Sequence, residues 1–188
     1  MSISSVKTGA IGVSLLAGNA FYVPPSFDSI STVTVGSGGS NTVSFSSIPQ
    51  TYSHLQIRYM DLSGVLAGDI RLQFNNDTGS TYSIHYLYGD GSSVVAGPAT
   101  NSTYIAAGVS GNSTYSSVGA VDILEYGNTN IYKTVRTLSG VDVNGSGGYV
   151  WFSSGTWRST SAVTSIKLFI NGYNFNANSH FALYGIKA

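Results

Sequence analysis

Cysteine is missing from all 188 positions. That absence excludes a disulfide framework, a thiolate metal site and a cysteine nucleophile. It leaves the compartment open, because a large core can replace disulfides. Charge is nearly as scarce: eight Lys and Arg face eight Asp and Glu, 9% of the residues, for a formal net charge of zero. A nucleic-acid partner needs a basic face to displace its counterions, and this chain cannot supply one. So little charge also removes the usual protection against association, so the surface is expected to be used in an assembly. No apolar stretch reaches the roughly 20 residues of a bilayer helix, and membrane insertion is not expected.

Glycine, serine, threonine and tyrosine fill the space, with 42% hydrophobic and 12% aromatic residues. A single domain of this size buries roughly 70% of its unfolded surface. Helical periodicity is lacking over any window of ten residues or more. Short runs rich in Val, Ile, Tyr, Phe and Thr take its place: 31–35, 41–48, 52–62, DIRLQFN, TYSIHYLY, 118–126, 131–141, 149–157, 162–170 and 180–187. YSHLQIRYMDL sets Leu55, Ile57 and Tyr59 against His54, Gln56 and Arg58, one dry face and one polar. About ten strands without a blade-length repeat predict an all-β chain, an antiparallel β-sandwich of jelly-roll type. All four prolines fall outside these strand interiors, as a ladder requires.

Residues 1–28 form a separate unit. MSISSVKTGAIGVSLLAGNA has the outline of a secretory leader, but Gly12, Ser14 and Gly18 interrupt its apolar stretch. It is read as an uncleaved attachment arm ending near Pro24-Pro25, with the sandwich domain at 29–188. Ile11, Val13, Leu15, Leu16, Phe21, Tyr22 and Val23 are too many apolar groups to leave in water, so they are the expected anchor. HFALYGIK carries apolar residues on both faces and is expected to be an interior strand buried on both sides.

Candidate chemistry is sparse. His85 sits mid-strand in TYSIHYLY, where a lone histidine is a hydrogen-bonded structural residue before it is a catalyst. Asp77 and Asp90 lie in NNDTGS and GDG, turn sequences in which Asn, Asp and Gly satisfy the backbone. Neither has a second acid nearby to complete a calcium site. Nucleophile-elbow, P-loop, dinucleotide and H-E-x-x-H patterns do not occur. Of the eight acids only Asp122 and Glu125 are near neighbours, and three residues apart on a strand they point to opposite faces. A distant pair such as Asp61 with Asp142 stays open, as does convergence of His54, His85 and His180 on zinc. The reading is of a non-enzyme with no metal and no cofactor.

Aromatics are the remaining functional candidates. Tyr104, Tyr115 and Trp157 are the expected sugar contacts, since exposed rings stack on the apolar C–H faces of sugars. Tyr149, Trp151 and Ser153 share one strand face, and Trp151 is assigned to core or to a subunit interface.

SSVKTGAIGV, FSSIPQTYSHLQIR, RLQFNNDTGSTYSIHYLYGDG, YKTVRTLSGVD and the ending SHFALYGIKA occur in this order. Together they resemble a family of small tailed-bacteriophage structural proteins, common in phages of aquatic bacteria and described as virion structural or tail-fibre-like. The resemblance implies a virion location on the outer surface of capsid or tail, a β-sandwich, and repetition by symmetry. It carries no agreed catalytic residues. Three classes of function follow: a non-enzymatic virion component decorating the capsid or forming part of a tail fibre, a module reading host glycans, and a polysaccharide depolymerase. The first is preferred, as a homo-oligomer, expected to be a trimer, in contact with other virion proteins.

Overall fold

The computed structural model describes residues 27–145 and 147–187, and before them the backbone of two short strands, Ser14–Leu16 (β1) and Ala20–Tyr22 (β2). These two pair antiparallel, Leu15 opposite Phe21. The anchor residues Ile11, Val13 and Val23 lie outside the described residues, as do the side chains of Leu15, Leu16, Phe21 and Tyr22.

Twelve further strands follow: β3 (Phe27–Thr34), β4 (Thr42–Phe45), β5 (His54–Asp61), β6 (Asp69–Phe74), β7 (Tyr82–Gly89), β8 (Val94–Ser102), β9 (Ile105–Val109), β10 (Ser117–Leu124), β11 (Lys133–Val141), β12 (Tyr149–Trp157), β13 (Ile166–Ile170) and β14 (His180–Ile186). They form two antiparallel sheets, ordered β3-β14-β5-β10-β11-β12-β7-β8 and β4-β13-β6-β9. The expected all-β sandwich is the fold.

Its wiring is legible once β7–β8 and β11–β12 are set aside. The remaining eight strands, renumbered along the chain, lie as 1-8-3-6 in one sheet and 2-7-4-5 in the other. That is the double Greek key of a jelly roll. The four set-aside strands are two insertions, one between β6 and β9 and one between β10 and β13. They pair with one another and extend the first sheet beyond the second. We call the eight strands the body and the four added strands the wing.

Alternation explains the layers. Leu55, Ile57 and Tyr59 of β5 are buried while Arg58 and Met60, on its other face, are exposed, as period two requires. β6 aims Ile70, Leu72 and Phe74 inward, and β13 adds Ile166 and Leu168. Each fully buried side chain of this size contributes about 1.5–3 kcal/mol. Gly155 of β12 lets β9 lie close against the wing, because an added Cβ would come within 2.5 Å of Ile105.

The runs at 31–35 and 41–48 lie in different sheets, as β3 and β4, and the glycine loop between them turns at Gly39 with φ 70°. Two differences from the sequence reading have physical causes. β8 and β9 were not among the expected strands. VVAGPATNS contains Gly97 and Pro98, and Pro98 stands inside a strand after all, on the sheet edge, where a lost N–H is tolerated. β14 is interior, between β3 and β5, with Phe181 and Leu183 fully buried, but Tyr184 and Ile186 on its other face are only half-buried.

Candidate functional site

Where the wing outruns the smaller sheet, its inner face carries aromatics. Strand register sets them side by side: Trp151 of β12 lies opposite Tyr88 of β7, and Tyr86 lies opposite Gly97 of β8. Glycine gives the ring room there, since a Cβ at position 97 would come within 2.9 Å of the Tyr86 hydroxyl and push it aside. The Trp151 ring stacks on both tyrosines with centroids 5.1 Å away and planes within 17° of parallel. Tyr149 tilts against Tyr88 at 6.3 Å.

These rings form one wall of a pocket of about 490 Å³. Asp69, Tyr104 and Ala106, from the start of β6 and the start of β9, line it from the other side. Burial pushes the Asp69 carboxyl up from its ordinary value, with the Arg71 guanidinium opposing. Arg71 lies over the Tyr104 ring, 4.2 Å from its centroid. Trp151 is only 7% exposed, yet its indole N–H has no hydrogen-bond partner, and Arg71 Nε is also buried and unpartnered. Buried donors are normally satisfied, so both are exceptions, one on a residue that lines the pocket and one beside Tyr104.

The expected sugar contacts do not converge. Tyr104 is in the pocket. Tyr115 is 39% exposed on the loop after β9, where Asn112 Oδ1 caps the turn. Trp157 corrects the expectation outright: it is 3% exposed and belongs to the main core, stacked near Phe74 and Tyr82. Its indole N–H donates to Asp77 Oδ2 at 2.7 Å. The same carboxylate accepts from Thr81 Oγ1 and the Gly79 N–H, so Asp77 is the organiser of its turn. Burial raises its pKa, but these bonds outweigh that and hold it below the usual carboxylate value. Trp151, assigned to core or to a subunit interface, is buried in the smaller core cluster, and it also lines the pocket. Tyr86, Tyr88, Tyr149 and Asp69 went unrecognised as site residues. Alternation alone puts Tyr86 with Tyr88 and Tyr149 with Trp151, but only the β7–β12 register brings the two pairs together.

The outer face of the same sheet is a second surface. One row runs Ala120, Leu138, Phe152, Leu87, Ala96 across β10, β11, β12, β7 and β8. The next runs Met60, Val118, Gly140, Val150, Gly89, Val94. Val94 is 75% exposed, Val150 65%, and Val118 and Leu138 57% each. Beside them lies a polar row in which Arg136 donates to Asp122 at 2.7 Å and Gln56 donates to the other oxygen of that carboxylate.

The histidines sit on this outer face but on separate rows. His180 meets Thr34, His54 accepts the Glu125 N–H, and His85 is exposed on β7. No cluster of three potential metal ligands occurs among the described residues. Two buried polar groups lie elsewhere. Asp61 is fully buried, accepts the Gly111 N–H, and has one unpartnered oxygen; burial raises its carboxyl to about 7. Lys133, also fully buried, donates to the carbonyls of Asn128, Ile131 and Thr160, which matches its three N–H groups and ties down the loop before β11. No protein-family model matches the chain, and comparison with curated proteins gives no match.

Proposed function

We propose that this chain is a non-enzymatic structural protein of a tailed-phage particle, exposed on capsid or tail, that assembles with copies of itself through the outer face of its longer sheet. The observation that carries the reading is the pair of apolar rows on that face. With strands about 4.8 Å apart and two rows two residues apart, the patch covers roughly 350 Å². That is within the largest-patch range of a monomer and about half of the ~800 Å² each partner buries in a standard interface. The flanking polar row supplies the rim such an interface has around its apolar centre.

A second copy is the favoured occupant. The chain has zero net charge, so copies do not repel. The rim carries Arg136, Asp122 and Gln56, with Arg58 at the end of the first apolar row, which offers both signs to an identical surface. Twisted sheet faces pack at about 10 Å with apolar side chains interdigitated. The sequence resemblance supports the virion setting, and jelly rolls serve in capsid proteins, an analogy of fold alone. The arm at 1–28 attaches the sandwich to its neighbours on the particle in this scheme.

Light scattering on the full chain at micromolar concentration tests the assembly. The same face packed on itself closes as a two-fold pair, so a dimer is expected in place of the trimer read from the sequence, with Leu138→Glu reducing it to monomer while the melting temperature of the monomer stays that of a folded sandwich. A wild-type monomer, or an oligomer indifferent to Leu138→Glu, overturns the reading.

A further inference from the structure

We propose that the pocket between wing and body binds a neutral pyranose ring, the Trp151–Tyr88–Tyr86 wall stacking on its C–H face and Asp69 accepting hydrogen bonds from its hydroxyls. The inference is independent of where the chain sits or how many copies assemble.

Four features point to a sugar rather than to a purely apolar ligand. The wall is aromatic and near-parallel, which suits a flat ring with an apolar face. The volume, about 490 Å³, is within the range of small-molecule sites. The lining residues that carry polar groups are few: Asp69 and the tyrosines Tyr86, Tyr88, Tyr104 and Tyr149. Finally, a fatty or aromatic hydrocarbon would leave the Asp69 carboxylate unserved, at a desolvation penalty, whereas a hydroxylated ring offers it donors. The carboxylate also sets the charge of the ligand. A uronic or sialic acid would bring a second negative charge beside Asp69, and the Arg71 guanidinium already acts on that carboxylate. Neutral hexoses meet no such opposition.

Both tryptophans report on the idea, because they occupy different environments. Trp151 is at the pocket and Trp157 is in the core, bonded to Asp77. The two indole N–H resonances of the full, isotopically labelled chain are followed while methyl glycosides of glucose, galactose and mannose are added to tens of millimolar. N-acetylneuraminic acid serves as the anionic control. At least one neutral glycoside is expected to move the Trp151 resonance in a saturable way and leave that of Trp157 in place. Asp69→Asn keeps the shape of the wall; affinity for that glycoside should fall about tenfold, the value of one charge-assisted hydrogen bond. Tyr88→Ala should abolish the shift, with the unmoved Trp157 resonance showing that the core is intact. If none of the neutral glycosides moves the Trp151 resonance, the assignment is wrong. It is equally wrong if the acidic sugar binds as well as the neutral ones, or if Asp69→Asn binds unchanged.

Discussion

Body and wing follow the same alternation of side chains and reach opposite outcomes. In the body, inward residues meet a second sheet: Leu55, Ile57, Leu72, Phe74 and Phe181 close into one core. In the wing, inward residues beyond Ile84 and Val141 outrun that cover, and a smaller cluster with half-buried tyrosines remains. Part of its outward face, Leu87, Leu138, Val150 and Phe152, is apolar where that of a solvated sheet would be polar. The body therefore holds the fold, and the wing, anchored at one end by Tyr82 and Trp157 in the main core, presents surface. An insertion into a jelly roll can change what a surface recognises without touching the two Greek keys.

The sharpest way to break this comparison is to remove one strand from each region. Deleting residues 180 to 188 takes out β14, which pairs with both β3 and β5. The truncated chain should show no cooperative melt at all. A soluble, cooperative transition from it would mean that the body does not depend on its central strand. Single substitutions repeat the contrast on a smaller scale. Phe181→Ala, in the body, should destabilise by about 3–5 kcal/mol, whereas Tyr88→Ala, on the wing, should take about 1–2. Equal losses in chemical denaturation would erase the distinction.

Much of the body is legible in the sequence, and the reason is local. Tyr149–Trp157 coincides with the run at 149–157, and Leu55, Ile57 and Tyr59 are buried as their spacing requires. Trp151 and Trp157 mark where this ends. They are six residues apart on one strand, so alternation places both indoles on the same face. Which of them joins the main core and which lines the pocket depends on where the smaller sheet stops, and that boundary is set by β9, a segment distant in the chain. The outer apolar rows are hidden for the same reason: each strand contributes one or two exposed side chains, unremarkable alone. Only register assembles Leu87, Val150, Phe152 and Leu138 into a patch. β8 escaped recognition because edge position, which tolerates Pro98, cannot be read from the residues themselves.

A pH-dependent difference of intermediate size belongs to the body alone. Asp61 ionises near 7 when folded and near the ordinary carboxylate value when unfolded. Between roughly pH 4 and 7 the folded chain holds a proton that the unfolded chain has lost, so stability declines as pH rises through that window and levels off above it. Asp61→Asn should remove this decline. The variant is expected to be more stable than wild type at pH 8, by on the order of 3 kcal/mol, and close to it at pH 4. Denaturation midpoints that fall in parallel for both proteins would assign the decline to other groups.

Next in size is the tie that fixes the wing's covered end. Asp77 serves the Trp157 indole, Thr81 and the Gly79 N–H together. Asp77→Ala leaves a buried indole donor unsatisfied and opens the turn between β6 and β7, for an expected loss of about 2–3 kcal/mol. Asp77→Asn keeps an acceptor and should recover part of it. No difference between the two variants would show that the indole bond contributes little.

The smallest effect is expected where the two regions join. Arg136 of β11 in the wing reaches Asp122 of β10 in the body at 2.7 Å, and Gln56 of β5 bonds the same carboxylate. It is tempting to read this ion pair as the clasp between the regions. The Arg136 side chain, however, is 64% exposed. Exposed pairs are worth about 0.2–1 kcal/mol and weaken as salt screens them. Seven register pairs of backbone join the same two strands and are indifferent to salt. A double-mutant cycle of Arg136→Ala with Asp122→Ala should therefore return a coupling of about 0.5 kcal/mol, shrinking toward zero in 1 M salt. Asp122→Ala alone should exceed Arg136→Ala alone, because it also strands the Gln56 amide. A coupling above about 2 kcal/mol, or one that persists in high salt, would make charge the clasp and leave the ladder a minor partner.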